Sequence, residues 1–410
     1  MPKLNANKSA SIWSVPFVLL MIINFFDTMC FQMLRTMMTQ YATDLGMAMT
    51  QATVLASALS VASLIMRPIA GRLVDTKNNK KIMLATFAGM FLTMVLHFFA
   101  KSYALLLLAR MLNGVFYGIS SVVTITIAGS MLPEEKMGQG IGMFGMGLSV
   151  AITFSSMVGI WVYSFGAAAL VAAAVFSMVV CFVLAIFVPD KPKKVAAQQK
   201  TIKETLRGLV AVEAIPIAIL NFVFYLAFAV VGVFVVVYFN ARNAEGVSIG
   251  NAGVFFMVWG LMLFVARPVA GKLYDKYGLV PIESMCIVCL GTFCVLISIS
   301  TSWTLTLISA LIGSFGFGGS VPVLQAAAFS AAPPERKGAA NSTNLMGGDL
   351  GNAVGGVFYG AIATWFTREG APSFGYQMSF RVAGMLCVLA VVYLLILSRS
   401  PKYNRKKAKN

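Results

Sequence analysis

Long apolar stretches, broken by short polar segments, make up nearly all of this chain. A hydrocarbon layer about 30 Å thick is crossed by roughly 20 residues of α-helix. Unpaired backbone groups cannot face lipid, so each stretch predicts a membrane-spanning helix. The polar breaks place helices at about 13–38, 48–73, 80–99, 103–130, 137–162, 166–188, 212–240, 249–273, 281–300, 303–331, 338–366 and 376–398. Six precede the polar segment PDKPKKVAAQQKTIKETLRG, Pro189 to Gly208, and six follow it. The expected division is an N-terminal six-helix bundle over 1–188, a cytoplasmic linker over 189–211, a C-terminal six-helix bundle over 212–398 and a basic cytoplasmic tail over 399–410. The first apolar run is too long for a cleavable signal and has no small-residue cleavage site.

Composition fixes the solvent. Hydrophobic residues are 59% of the chain and charged ones 11%, and the mean hydropathy is +0.84, which excludes an ordinary soluble domain. The net charge of +17 is unevenly placed. Basic residues crowd the segments on one side, among them Lys77, Lys80, Lys81, the linker and the tail, whereas the opposite loops hold Lys101, Arg242 and Arg368. The positive-inside rule then predicts a multi-pass cell-membrane protein with both termini cytoplasmic. The basic excess is accounted for by topology and contact with anionic membrane lipids, with no nucleic-acid partner. The six cysteines fall inside predicted spans, and no phosphate-binding loop, catalytic triad or metal-ligand cluster occurs. The chain is therefore not expected to be an enzyme or to carry a cofactor or metal; a monomer is expected.

A phrase is written twice. Arg67 to Asp75 reads RPIAGRLVD and Arg267 to Asp275 reads RPVAGKLYD, offset by 200 residues. Gly138 after LPEEKM and Gly338 after PPERK keep the same offset. Two parallel, structurally repeated halves follow, so the expected fold is an all-α membrane protein with twelve transmembrane helices in two pseudo-symmetric six-helix bundles.

GRLVDTKNNKK, Gly71 to Lys81, resembles the signature loop between helices two and three of the major facilitator superfamily, and GKLYDKYG, Gly271 to Gly278, resembles its second-half copy. Asn78 stands where that signature usually has glycine, and Thr76 where it has a basic residue. The resemblance implies a conformational latch on the cytoplasmic side, formed by Arg67, Gly71, Asp75, Arg267, Gly271 and Asp275. Both arginines are expected near helix ends, reaching the interface, and both glycines at close helix contacts. A purely structural turn is the alternative.

Ionisable groups inside spans are costly and are functional candidates. Asp27 in NFFDTMCFQM and Arg110 in ARMLNGVFYG fall at nearly the same depth if each helix just spans the membrane. ARMLNG also resembles the fourth-helix motif of proton-coupled members, carried here by Arg110, Asn113 and Gly114. Asp27 and Arg110 are thus expected to pair, either as a proton-coupling device or as a static bridge. Asp349 in NLMGGDLGNAVGG has Ser149 as its 200-residue counterpart, so its acid belongs to one half only; it handles protons or substrate, or it caps locally. Helix five departs from the antiporter signature, offering SSMVGI where a glycine-proline pair is usual.

The resemblance implies a secondary active transporter working by alternating access. Asn24, Phe31, Asn113, Tyr117, Asn221, Tyr225, Phe315 and Phe358 are its expected substrate-cavity residues. With 25 methionines for adaptable apolar surface, the expectation is a proton-coupled antiporter of the cell inner membrane that exports small lipophilic or amphipathic organic molecules. A proton-linked importer of a small organic metabolite and a non-transporting membrane sensor are the alternatives.

Overall fold

The computed structural model describes residues 12–47, 49–190, 210–368, 371 and 373–399. Residues 191–209 of the expected linker and 400–410 of the expected tail lie outside the described residues.

Twelve long helices run through the described residues: α1 (Val15–Asp44), α2 (Met49–Thr76), α3 (Asn79–Phe99), α4 (Tyr103–Met131), α5 (Met137–Tyr163), α6 (Ala167–Phe187), α7 (Ile215–Ala244), α8 (Ala252–Tyr277), α9 (Leu279–Ile299), α10 (Trp303–Ala331), α11 (Lys337–Trp365) and α12 (Ser373–Leu397). Their order matches the apolar stretches, but several overrun them. α1 continues six residues past the expected end, and its 30 residues reach about 45 Å, well beyond the hydrocarbon thickness.

Polar side chains start the helices where the chain turns. Ser102 and Ser302, 200 residues apart, accept the free N–H groups of Leu105 and Leu305 at the starts of α4 and α10. Asn78 does the same for Lys81 of α3, and its Nδ2 also donates to both carboxylate oxygens of Asp190, at 2.8 and 3.0 Å. The unusual asparagine in the signature loop thereby ties that loop to the end of the first half. Gly278, at φ 85°, ends α8 in a conformation few other residues adopt.

The repeat in sequence is a repeat in packing. The pairs α1–α5, α1–α6, α2–α4, α3–α4 and α3–α6 recur as α7–α11, α7–α12, α8–α10, α9–α10 and α9–α12. The Tyr41 hydroxyl donates to the His97 carbonyl, tying α1 to α3, and Tyr238 donates to the Ile297 carbonyl, tying α7 to α9, both at 3.0 Å. Across the halves, α2 packs on α11 and α5 on α8. Large apolar side chains such as Leu92, Phe176, Leu261 and Val388 cover the outside of both bundles, as a lipid-facing surface requires. The chain is an all-α protein of two pseudo-symmetric six-helix bundles.

Candidate functional site at the bundle interface

The duplicated phrase lies where the halves meet. At the end of α2, Asp75 accepts the backbone N–H groups of Gly338 and Ala339, each at 2.8 Å. At the end of α8, Asp275 accepts those of Gly138 and Gln139, each at 2.7 Å. These N–H groups belong to the first turns of α11 and α5, where they have no partner within their own helix. A carboxylate placed there gains both charge-assisted hydrogen bonds and the positive end of the helix dipole.

The two glycines make this approach possible. A Cβ on Gly71 would stand 2.6 Å from Ser342 Cβ, and one on Gly271 would stand 2.1 Å from the Gly138 carbonyl oxygen. The second clash is against backbone, which cannot swing aside. Ser342 also donates to the Arg67 backbone carbonyl, adding a third cross-half bond at this crossing.

Arg67 and Arg267 do not reach an interface, as their position near helix ends predicted. Both are buried, at 8% and 3% exposure, and line a cavity of about 220 Å³ between the bundles. Both helices run about one turn past their expected ends, to Thr76 and Tyr277, so about two and a half to three helical turns follow each arginine and set it deeper. Arg67 Nε lies 2.7 Å from Asp349 Oδ2 on α11, an ion pair across the halves. Arg267 crosses the other way, donating from Nη1 to the Gly145 carbonyl on α5, and its Nε is buried without a partner. Asp349 is thus set against Arg67 in the cavity wall.

Asp27 also lines this cavity and is buried at 2% exposure. Its Oδ2 accepts the Ser120 hydroxyl at 2.8 Å, while Oδ1 has no hydrogen-bond partner. The expected pairing with Arg110 is not formed. Arg110 points into the α2–α4 contact, its Nε donating to the Leu55 carbonyl at 3.2 Å, and both its terminal nitrogens are buried without partners. The equal-depth argument failed because α4, with 29 residues, is longer than the membrane core. Arg110 is ten residues, about 15 Å, nearer the start of α4 than Ser120, the residue that meets Asp27.

Among the expected cavity residues, Asn24, Tyr117, Asn221 and Tyr225 line the space. Phe31 is not in its wall but stacks on Tyr117, which is, with ring centroids 4.1 Å apart. Asn113, Phe315 and Phe358 are absent from its wall. Asn113 faces α3, its Nδ2 lying 3.5 Å from Thr93 Oγ1, and Phe358 is 37% exposed on the outside. Two residues from Phe315, Phe317 stacks on Phe228 at 3.7 Å and meets Tyr225 edge-on.

Sequence reading missed several polar groups. Thr28, Ser121, Gln325 and Asn344 line the cavity. Glu283, not singled out from the sequence, lies four residues into α9, which begins at Leu279, and is completely buried. It accepts the Ser320 hydroxyl at 2.5 Å. Ser120 and Ser320 keep the 200-residue offset, and each holds a buried carboxyl, so the repeat itself carried a signal for both.

Known proteins with this geometry share its architecture. The family model of the Major Facilitator Superfamily matches residues 20–287 and 217–410. A multidrug resistance protein, MdtG of Proteus mirabilis (strain HI4320), is 24% identical over 356 residues, covering 83% of this chain and 84% of its own. The crystal structure of the human organic anion transporter MFSD10 (TETRAN) has a TM-score of 0.72 at 18% identity, covering 92% of this chain and 98% of its own. That of the Escherichia coli fucose:proton symporter FucP has a TM-score of 0.71 at 14% identity, with coverage of 92% and 98%. Both structures show the fold alone. Twelve helices in two repeated bundles, a polar cavity between them and a family match over nearly the whole chain lead to one conclusion: this protein is a multi-pass membrane transporter belonging to the Major Facilitator Superfamily.

Proposed function

We propose that this transporter exports small lipophilic or amphipathic organic molecules across the cell membrane by alternating access, driven by exchange for protons. The observation that carries the coupling is Asp27. It faces the cavity on α1, is buried, and among the described residues has Ser120 as its hydrogen-bond partner and no cation within ion-pair distance. An ionised carboxylate in such a place is costly unless neutralised, and a proton is the smallest species that can do so. Entry of the proton and entry of a substrate then compete for one space.

In this reading the bundles 1–188 and 212–398 move as units about the cavity, joined by the linker 189–211. The face carrying Asp75 and Asp275 is cytoplasmic, in keeping with the basic segments beside it, and the described arrangement is the one closed on that face. Opening it breaks the two carboxylate caps and the Arg67–Asp349 pair. The mixed apolar and polar wall, with Phe144, Ile125 and Tyr225 beside Asn24 and Gln325, suits amphipathic molecules. The multidrug name of the MdtG relative supports export, and the basic residues of the segments on that face and of the tail sequence suit contact with anionic lipid. The transporter acts as a monomer.

The test is flux in proteoliposomes under an imposed pH gradient, with substrate and proton movement followed together. Substrate accumulating in vesicles acidified inside, with protons leaving, supports export by antiport. Accumulation with protons entering alongside substrate would instead mark an importer.

A further inference from the structure

The two bundle crossings are built from the same phrase but are not charged alike. At the first, Arg67 of α2 meets the carboxylate of Asp349 on α11. At the second, Arg267 of α8 donates to the Gly145 carbonyl on α5, its one hydrogen-bond partner among the described residues. The position equivalent to Asp349 is Ser149, and no carboxylate lies within ion-pair distance of Arg267 among the described residues. Arg267 is 97% buried by its 3% exposure, lines the cavity, and keeps Nε without a partner. A buried guanidinium served by one neutral carbonyl is an incomplete site.

From this we infer that the transported molecule carries an anionic group, a carboxylate or sulfonate, that binds Arg267 and supplies the charge missing from the second crossing. The inference rests on the transport reading and names the substrate class for it. Guanidinium is suited to such a group, since it offers parallel N–H donors to two oxygens. The cavity also provides what the rest of such a molecule needs. The Tyr225 ring and Phe144 give flat apolar surface. The side-chain oxygens of Asn221 and Asn344, buried and without partners, accept from a hydroxyl on the same molecule. Because Arg267 reaches from the second half to α5 of the first, an anion held there touches both halves and favours the closed face, as Asp349 does at the other crossing.

The experiment uses the full chain in nanodiscs, with protein-free nanodiscs subtracted for partitioning. The probes are 6-hydroxy-2-naphthoate and 6-hydroxy-2-naphthamide, which differ in charge while keeping ring and hydroxyl. The naphthoate is expected to bind at least about tenfold more tightly than the amide. Arg267→Gln is expected to abolish that preference and Arg267→Lys to keep part of it. Ser149→Asp, which places an acid at the repeat position 200 residues before Asp349, is expected to abolish it too. This second variant keeps Arg267 in place, so a folding defect in Arg267→Gln does not decide the matter. Equal or tighter binding of the amide, no measurable naphthoate binding, or a preference that survives both Arg267→Gln and Ser149→Asp overturns the inference. Flux separates it from the transport reading. Proton-driven movement of the amide without any preference for the anion removes the anion site and leaves transport standing. Arg267-dependent naphthoate binding without flux of either probe does the reverse.

Discussion

Arg67 on α2 and Asp349 on α11 form an ion pair, Nε to Oδ2 at 2.7 Å, that spans the boundary between the two bundles inside the central cavity. Arg67 is largely enclosed, whereas a third of the Asp349 side chain is exposed, so the pair is partly screened. A double-mutant cycle with Arg67→Gln and Asp349→Asn is expected to give a coupling of about 1–2 kcal/mol in unfolding free energy measured in mixed micelles. Additive losses would show that the two act separately.

The carboxylate caps make a second case. Asp75→Asn replaces one acceptor oxygen by a donor that faces the Gly338 and Ala339 N–H groups. The loss is about 1–2 kcal/mol, or roughly tenfold in the balance between closed and open faces. Spin labels at the exposed positions Lys77 and Glu335, one in each half, are expected to show a larger population at long distance. Asp275→Asn, which disturbs the equivalent pair of bonds, is expected to act to a similar extent on labels placed across the other crossing. An unchanged distance distribution would remove the caps from the closure mechanism.

Arg110 tests the separation of coupling from packing. Its hydrogen bond goes to Leu55 and not to Asp27, so Asp27→Asn and Arg110→Gln are expected to change stability additively, within about 0.5 kcal/mol. A larger coupling would restore the direct pairing that the helix lengths argue against.

Glu245, just past the end of α7, accepts the Ser373 N–H at 2.8 Å and its hydroxyl at 2.6 Å, with Arg242 at 3.5 Å. Burial pushes this carboxyl up, but the Ser373 bonds and the Arg242 charge outweigh it and leave it below its ordinary value. A carboxyl lowered by folding contributes stability above its unfolded-state value, and that contribution disappears as pH falls through the folded-state value. Thermal melting is expected to decline more steeply on acidification below the ordinary glutamate range than in Glu245→Gln, which lacks the titrating group. Parallel declines would contradict this.

The fold was legible because lipid imposes one rule on every span, and an apolar stretch bounded by polar residues has few other meanings. The repeat was legible because its two copies retain the arginine, glycine and aspartate that close helix contacts demand. Depth was not legible. Counting from the ends of spans assumed that each helix just fits the hydrocarbon core, and helices of 30, 28 and 29 residues in α1, α2 and α4 run well past it, so the count misjudged the depth of Arg67 and set Arg110 level with Asp27. Rotation about the helix axis was no better marked: Phe315 and Phe317 are equally apolar, and only packing against Phe228 and Tyr225 distinguishes them. Glu283 lies only four residues into α9, where nothing in the local pattern marks a carboxyl as buried.

The most direct test compares wild type and Asp27→Asn in proteoliposomes, measuring pH-driven accumulation alongside substrate counterflow without a gradient. The account predicts that the variant retains counterflow, since cavity and closure remain, but loses accumulation driven by the proton gradient. Accumulation equal to wild type in Asp27→Asn would contradict it.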